Sequence, residues 1–334
     1  MKIHYIPLEN LEQRYTIMMN KAIEPYVDTI LYPKQRVSGK IESGQFLDIF
    51  NTCTFKARQL ELISLSFKNN EIKDGDVFLV GDIFFPGIEM IKYMSELQGI
   101  TVKVYGFNYA GRADSTDFVR QLGNWSDYSE KGYHLLCDGI FVGSYDHKKN
   151  VVSYFDLDPN KVHVSGLIWD LDFMDSFNLA TDEKNDFVIW PHRFSNEKGI
   201  KELKQFAELT DKKIVVTSSG PHREYSVEMP RNVVFLFDLT KAEYYTLFSK
   251  ARWYLSTAYQ ETFGYTIQEA IYFRCNILVP NRACSPEMVE IKNIYNNVTE
   301  IDTKFNNEDL VVDYSLTEKW DKNIKNIIDI IRNA

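Results

Sequence analysis

Two carboxylates eight positions apart, Glu261 and Glu269, stand in the stretch ARWYLSTAYQETFGYTIQEAIYFRCNILVPN, with Thr262, Phe263, Gly264, Tyr265 and Thr266 after the first. Trp253–Thr257 reads as a short buried strand, and Tyr265–Phe273 as a helix with Ile267, Ala270 and Ile271 on one face. Glycine at 264 reaches backbone angles closed to other residues, so this strand-to-helix turn can leave the first helical amides facing an anion. Glu261 precedes the turn and Glu269 lies more than a turn inside the helix. The pair can therefore reach opposite ends of one extended polar ligand that carries a phosphate.

A second turn of the same kind lies upstream. The strand DFVIWP (Asp186–Pro191) runs into His192, Arg193 and then SNEKGIKELKQFAEL, where Leu203, Phe206 and Leu209 mark the buried face of a helix that Ser195 can cap. Arg193 and Lys198 flank this turn. Two cations beside a helix N-terminus make a cradle for a diphosphate, because cations and free amides neutralise the same pair of charges. A nucleotide sugar fits the span from that cradle to the two glutamates. Lys213–Thr217 and Val233–Phe237 read as further strands, the first running into the loop SSGPHREYS and the second into LTKAEYYTLFSKA.

The order of strand, Thr-Lys-Ala-Glu helix, strand, Glu261, aromatic-glycine, helix, Glu269 and strand resembles, over roughly residues 186–285, the nucleotide domain of retaining glycosyltransferases with the E-x7-E signature and two Rossmann-like domains (GT-B). The resemblance implies roles. Glu261 would contact the donor sugar, Glu269 the ribose, and Arg193 and Lys198 the diphosphate. Phe237 and Leu239 would lie around the nucleobase, and Ser219, Thr262, Phe263, Gly264, Tyr265 and Thr266 complete the donor set. Glu261, Arg193 and Lys198 are the expected catalytic residues. No side chain stands out as a covalent nucleophile, so the resemblance implies front-face displacement with retention. The co-substrate would be a nucleoside diphosphate sugar, a UDP-sugar favoured, with no metal and no further cofactor required.

Length and composition set the frame for these motifs. The chain has 334 residues, about two domains' worth, with 44% hydrophobic and 25% charged residues. No run of eighteen apolar residues occurs, and MKIHYIPLEN goes straight into a strand, so a cytoplasmic protein without a membrane span is expected, in the host cytoplasm if phage-encoded. Cys53, Cys137, Cys275 and Cys284 form no CxxC, and neither disulfides nor structural zinc is expected. With 38 basic against 47 acidic residues, the net charge of -9 argues against a protein that coats nucleic acid non-specifically. A local basic groove remains open.

The first half alternates strands and helices. Strands are expected at Lys2–Ile6, Thr29–Tyr32, Asp76–Val80, Thr101–Phe107, Asp138–Gly143 and Lys161–Val164, with helices at Phe46–Phe67 and Pro86–Leu97. Such an α/β alternation implies a parallel sheet whose ligands gather at the carboxyl ends of the strands. Those ends carry the acceptor-side candidates Glu12, Arg14, Asp82, Asn108, Arg112 and Asp114. Asp82 and Asp114 can equally cap helices, and Arg14 can pair with Glu9. Gly166–Lys184 reads as an interdomain linker; its Asp170-Leu171-Asp172, like Asp156-Leu157-Asp158 upstream, suits helix capping better than metal binding.

The expected architecture is therefore GT-B: residues 1–168 as an acceptor-side Rossmann-like domain, 185–316 as the nucleotide-sugar domain, a cleft between them, and a C-terminal crossover helix in 317–334 returning to the first domain. The opening departs from the commonest family pattern, since PLENLEQRYT has no glycine and Asn108-Tyr109 stands where relatives often carry a histidine. The runs GDVFLVGDIFFPGIE and YGFNYAGRADSTDF resemble phage-encoded glycosyltransferases that modify DNA bases. The favoured acceptor is then a hydroxymethylated pyrimidine in phage DNA, held near Arg14, Lys34, Arg36, Lys40, Arg112 and Arg120 with Tyr15, Tyr109 or Trp125 to stack on a flipped base. Two alternatives stand beside it: transfer to a glycan, lipid or small molecule, and a non-catalytic sugar-binding protein.

Overall fold

The structure is a computed structural model that describes residues 1–11, 14–34, 49–179, 183–218, 228–307 and 309–334. It divides into two compact units, Met1–Trp169 with Lys322–Ala334, and Asp170–Asp321. Each unit is built on one six-stranded sheet, and every pairing within the two sheets is parallel.

The first sheet contains β1 (Ile3–Ile6), β2 (Thr29–Ile30), β3 (Val77–Val80), β4 (Lys103–Phe107), β5 (Gly139–Val142) and β6 (Val162–Val164), in the order β2-β1-β3-β4-β5-β6. Its inner strands β1, β3 and β5 are buried along their whole length and β3 and β5 are apolar throughout, as a parallel sheet covered on both faces requires. Side chains alternate between two cores. Ile6, Phe78, Val80, Val104 and Ile140 join Ile63 and Phe67 of the helix Ile49–Lys68 and Ile88 and Ile91 of Ile88–Leu97. Tyr5, Val77, Leu79, Tyr105 and Phe107 join Met19 and Ile23 of the helix Thr16–Ile23 on the other side.

That second core is completed by the end of the chain: Ile324, Ile327, Ile328 and Ile331 of the helix Ile324–Asn333 are all buried in it. The continuous helix expected from Thr317 is instead two, Ser315–Glu318 and Ile324–Asn333, with Lys322 in the left-handed region between them. Asn323 explains the break. Its amide Nδ2 donates to the carbonyls of Ser165 and Leu167 at 2.9 and 2.8 Å, and its Oδ1 accepts from Trp169 N. A side chain that reads three backbone groups fixes where the last helix must start.

The second sheet contains β7 (Asn185–Trp190), β8 (Lys213–Ser218), β9 (Val233–Phe237), β10 (Ala251–Leu255), β11 (Asn276–Pro280) and β12 (Ile294–Tyr295), in the order β12-β11-β10-β7-β8-β9. The chain winds outward from β7 through β8 to β9, then returns to the other side of β7 and winds outward again. The strand order therefore reverses between β7 and β10, the place where open α/β sheets leave a crevice at their carboxyl ends. Trp253 pairs with Val188 and Tyr254 with Ile189, so the loops after both strands emerge side by side.

Several expected elements differ in detail. The helix after β7 begins at Ile200, not near Ser195: a 3₁₀ turn, Asn196–Lys198, comes first, and Gly199 at φ 75° takes the N-cap position. Ser195 makes no capping bond and donates its hydroxyl to Glu197. The stretch expected to be a linker contains the short helix Leu171–Asp175, capped by Asp170, whose carboxylate accepts from Phe173 N. Asp158 accepts from Asn160 N in the same manner, so one aspartate of each acidic pair caps a local turn. The cysteines are free thiols.

Candidate functional site

The loop after β7 is drawn against the end of β10 by a chain of hydrogen bonds. Trp190 Nε1 donates to Thr257 Oγ1 at 2.9 Å, and Thr257 Oγ1 donates to the carbonyl of Lys198 at 2.7 Å. Gly199 belongs to this contact, because a Cβ there would stand 2.1 Å from the Thr257 carbonyl oxygen. Tyr259 N closes the loop from the other side by donating to Glu197 O at 2.9 Å. Backbone contacts this close leave the two loops a single polar wall.

On that wall Lys198 and Glu261 meet directly, Nζ to Oε1 at 2.6 Å, and Lys198 Nζ also donates to Gln260 O at 3.2 Å. His192 Nδ1 lies 3.7 Å from the same Oε1. Burial works to raise the Glu261 carboxyl, but Lys198, His192 and Arg193 outweigh it and hold the group below the usual carboxylate range. His192 is lowered to about 3, by burial first, with Glu261 opposing and Lys198 and Arg193 adding to the effect. It is neutral at physiological pH. Arg193 is the most exposed of the set and pairs with Glu197 at 3.2 Å.

Gly264 has φ 69° and takes the N-cap position of the helix Tyr265–Tyr272, where Ile267 N and Gln268 N donate to its carbonyl. A helix start of this kind presents amide dipoles to the loop before it. Phe263 is fully buried and meets Trp320 edge-on at 5.4 Å between ring centroids, which anchors the turn. Thr266 Oγ1 and the Tyr254 hydroxyl are 2.9 Å apart.

One turn further along, Glu269 is 5% exposed, accepts from the Tyr244 hydroxyl and lies 3.5 Å from Lys241 Nζ. Those partners come from the helix Lys241–Lys250, whose start is fixed by a capping box between Thr240 and Glu243. Phe237 ends β9, two strands from β7, 38% exposed and stacked on Phe235 at 5.8 Å; Leu239 follows it, half-buried. Ser219 lies outside the described residues.

If Glu269 holds a ribose through its carboxylate, Glu269→Gln weakens nucleotide binding by about 1–3 kcal/mol, the scale of a charge-assisted hydrogen bond. Calorimetric titration reads this directly. An unchanged dissociation constant removes Glu269 from the site.

In the first unit the strand order reverses between β1 and β3, and Asp82 lies just past β3. Its Oδ1 accepts from Phe84 N at 3.0 Å, and burial raises its carboxyl against the pull of Lys56. Arg14 follows β1, with its amide on Leu11 O, and Glu12 lies outside the described residues. Asn108 is 1% exposed and its Nδ2 is 2.7 Å from His134 Nε2.

Arg112 points inward. Nη1 donates to Val119 O, Leu122 O and Ser126 Oγ, and Nε lies 2.9 Å from Asp127 Oδ1. Asp114 is 3% exposed, and its carbonyl accepts from Arg120. Tyr15 and Tyr109 pack on each other at 5.3 Å, and Trp125 is 62% exposed. Arg36 and Lys40 lie outside the described residues, while Lys34 is exposed.

One group here went unread in the sequence. Glu130, on the helix Trp125–Leu136, has no exposure and accepts from Arg112 N at 2.9 Å. Its carboxyl is raised to about 8, by burial first and then by Asp117, Asp114 and Asp82, with the Arg112 hydrogen bond opposing. It therefore carries its proton at neutral pH and underlies the 108–114 loop as a neutral acid. In WSDYSEKGYH it looks like a surface charge, and nothing in its neighbours marks it as buried.

Comparison with known proteins adds three findings. Residues 173–326 match the family described as glycosyl transferases group 1. A tRNA-queuosine alpha-mannosyltransferase of Drosophila melanogaster is 27% identical over 137 residues, 38% of this chain and 36% of that protein. The chain thus matches about a third of the length of this curated relative. Among solved structures, Anabaena HepE in complex with UDP and glucose is similar with a TM-score of 0.70 at 11% identity, over 100% of both chains. A sucrose-phosphate synthase from Thermosynechococcus elongatus follows at 0.64 and 13%, over 98% of this chain and 94% of that one. At these identities the likeness establishes the fold: α/β, GT-B, with two Rossmann-like domains.

Proposed function

We propose that this chain, whose residues 173–326 match glycosyl transferases group 1, is a nucleotide-sugar-dependent glycosyltransferase that retains anomeric configuration. The observation that carries the reading is the cluster of Lys198, Glu261, His192 and Arg193 at the switch point between β7 and β10, with Glu261 on the loop that runs into the helix start at Gly264. The diphosphate of the donor would lie between Lys198, Arg193 and that helix start, its sugar toward Glu261 and its ribose toward Glu269. Negative charge grows on the leaving diphosphate as the glycosidic bond breaks. Cations and amides fixed in advance stabilise that charge without reorganising. A UDP-sugar is the favoured donor, and HepE is a structural neighbour solved with UDP and glucose.

The favoured acceptor is a hydroxymethylated pyrimidine in phage DNA, flipped out of its duplex. A second reading rests on the Drosophila relative, whose name places a mannosyl group on a modified tRNA nucleoside. Both readings share a hydroxyl on a modified nucleoside. A screen of nucleoside diphosphate sugars for thermal stabilisation, followed by transfer of labelled sugar to hydroxymethylated DNA, to tRNA and to a glycan, separates them. Label entering DNA supports the first reading and label entering tRNA the second. Label entering only a glycan or lipid overturns both, and inversion at the anomeric carbon overturns retention.

A further inference from the structure

We propose that His192 is the positioning residue of Glu261: once Lys198 turns to a bound diphosphate, the imidazole Nδ1–H holds Oε1 of that carboxylate in the orientation the donor sugar needs. This rests on the nucleotide-sugar reading above. Its origin is a conflict of roles at one oxygen. Lys198 stands 2.6 Å from Glu261 Oε1, and the same ammonium donates to Gln260 O in the loop that leads to the helix start at Gly264, where a diphosphate would lie. Among the described residues, the contacts to Glu261 fall on Oε1. A carboxylate only 18% exposed that loses its main donor is costly unless another takes its place.

His192 is built to be that donor. Its side chain is 2% exposed, edge-on to Trp190 at 5.0 Å and 6.3 Å from Tyr254, so β7 and β10 wall it in. Its Nε2 is buried with no hydrogen-bond partner among the described residues. Placing the proton there would bury an unpartnered N–H and turn two lone pairs toward each other across the gap to Glu261. The favoured tautomer therefore carries Nδ1–H toward Oε1. The charged groups facing the pair are Lys198 and Arg193, with the Tyr254 phenol adjacent, and burial keeps the imidazole neutral among them. A neutral donor is not drawn to the diphosphate. The 3.7 Å gap is of the kind that closes when a catalytic complex forms.

The test compares His192→Leu with His192→Asn, whose amide can place an N–H where Nδ1 stands. With a donor that wild type turns over, His192→Leu should lower kcat about 10–100-fold with KM for the donor within roughly 3-fold, and His192→Asn should recover most of the loss. A leucine variant as fast as wild type, or an asparagine variant no faster than leucine, overturns the proposal. A second measurement needs no turnover. In a Lys198→Met background, adding His192→Leu should raise the titration midpoint of the Glu261 carboxyl, followed by carbon-13 NMR, by about half a unit or more; an unchanged midpoint overturns it. Wild-type protein that turns over no nucleotide sugar sinks the functional reading instead, and the titration still decides the role of His192.

Discussion

Lys198→Ala is expected to lower glycosyl transfer about 100-fold, on the order of 3 kcal/mol of transition-state stabilisation. Two losses combine in this variant. The departing diphosphate loses a cation whose contribution grows with the developing charge, and in the free enzyme Glu261 loses the donor 2.6 Å from its Oε1. The second loss has a signature in pH. Lys198 is the largest of the influences that hold the Glu261 carboxyl low against burial, so without it the carboxyl rises from its lowered position. The acid limb of the rate profile then moves to higher pH.

Stability follows the same sign. A carboxyl depressed in the folded state contributes stability above its unfolded value, and that contribution is lost as pH falls through the folded one. Removing Lys198 weakens the contribution at neutral pH and shrinks the loss on acidification. Steady-state rates and thermal melts across pH check both statements; wild-type turnover with an unmoved acid limb returns Lys198 to a structural pair.

Gly199→Ala is expected to destabilise the second unit by about 3 kcal/mol, among the larger effects available to one methyl group. The residue sits at φ 75°, where a side chain is strained, and the added carbon would stand 2.1 Å from a backbone oxygen, which cannot rotate away. Relief requires the loop to retreat from Thr257. Retreat breaks the hydrogen bond from Thr257 Oγ1 to Lys198 O and moves Lys198 from Glu261. The variant should melt lower and also bind nucleotide more weakly. A melt within a degree of wild type would show that the loop tolerates the methyl group and that the close approach is not a constraint.

How much of this was legible in the sequence depended on whether local chemistry and burial pointed the same way. The strands were readable because parallel strands covered on both faces are apolar runs, as in VFLV and GIFV. The E-x7-E stretch was readable because Gly264 marks a turn that no other residue makes easily. The helix Trp125–Leu136 was not. Its inward positions are Ser126, Glu130 and His134 while Trp125 and Tyr128 face out, which inverts the pattern that announces a helix.

The helix Thr16–Ile23 was missed for a different reason. Tyr15 stands at its N-cap and makes no side-chain cap bond, so nothing announces the start. The late start of the helix after β7 was hidden because Ser195 looks like a cap, whereas the packing of Gly199 against Thr257 decides where the helix begins. Arg112 shows the limit from the other side. A charge in a polar loop reads as available, and only the fold reveals that carbonyls and Asp127 enclose it.

The central claim is that the crevice between β7 and β10 is a nucleotide-sugar site. A structure of the full chain with UDP tests it most directly. The account predicts one diphosphate within hydrogen-bonding distance of Lys198 Nζ and the amides that start the helix after Gly264, with the ribose hydroxyls on Glu269. A diphosphate bound elsewhere, or a Lys198–Glu261 pair undisturbed at saturating UDP, would contradict it.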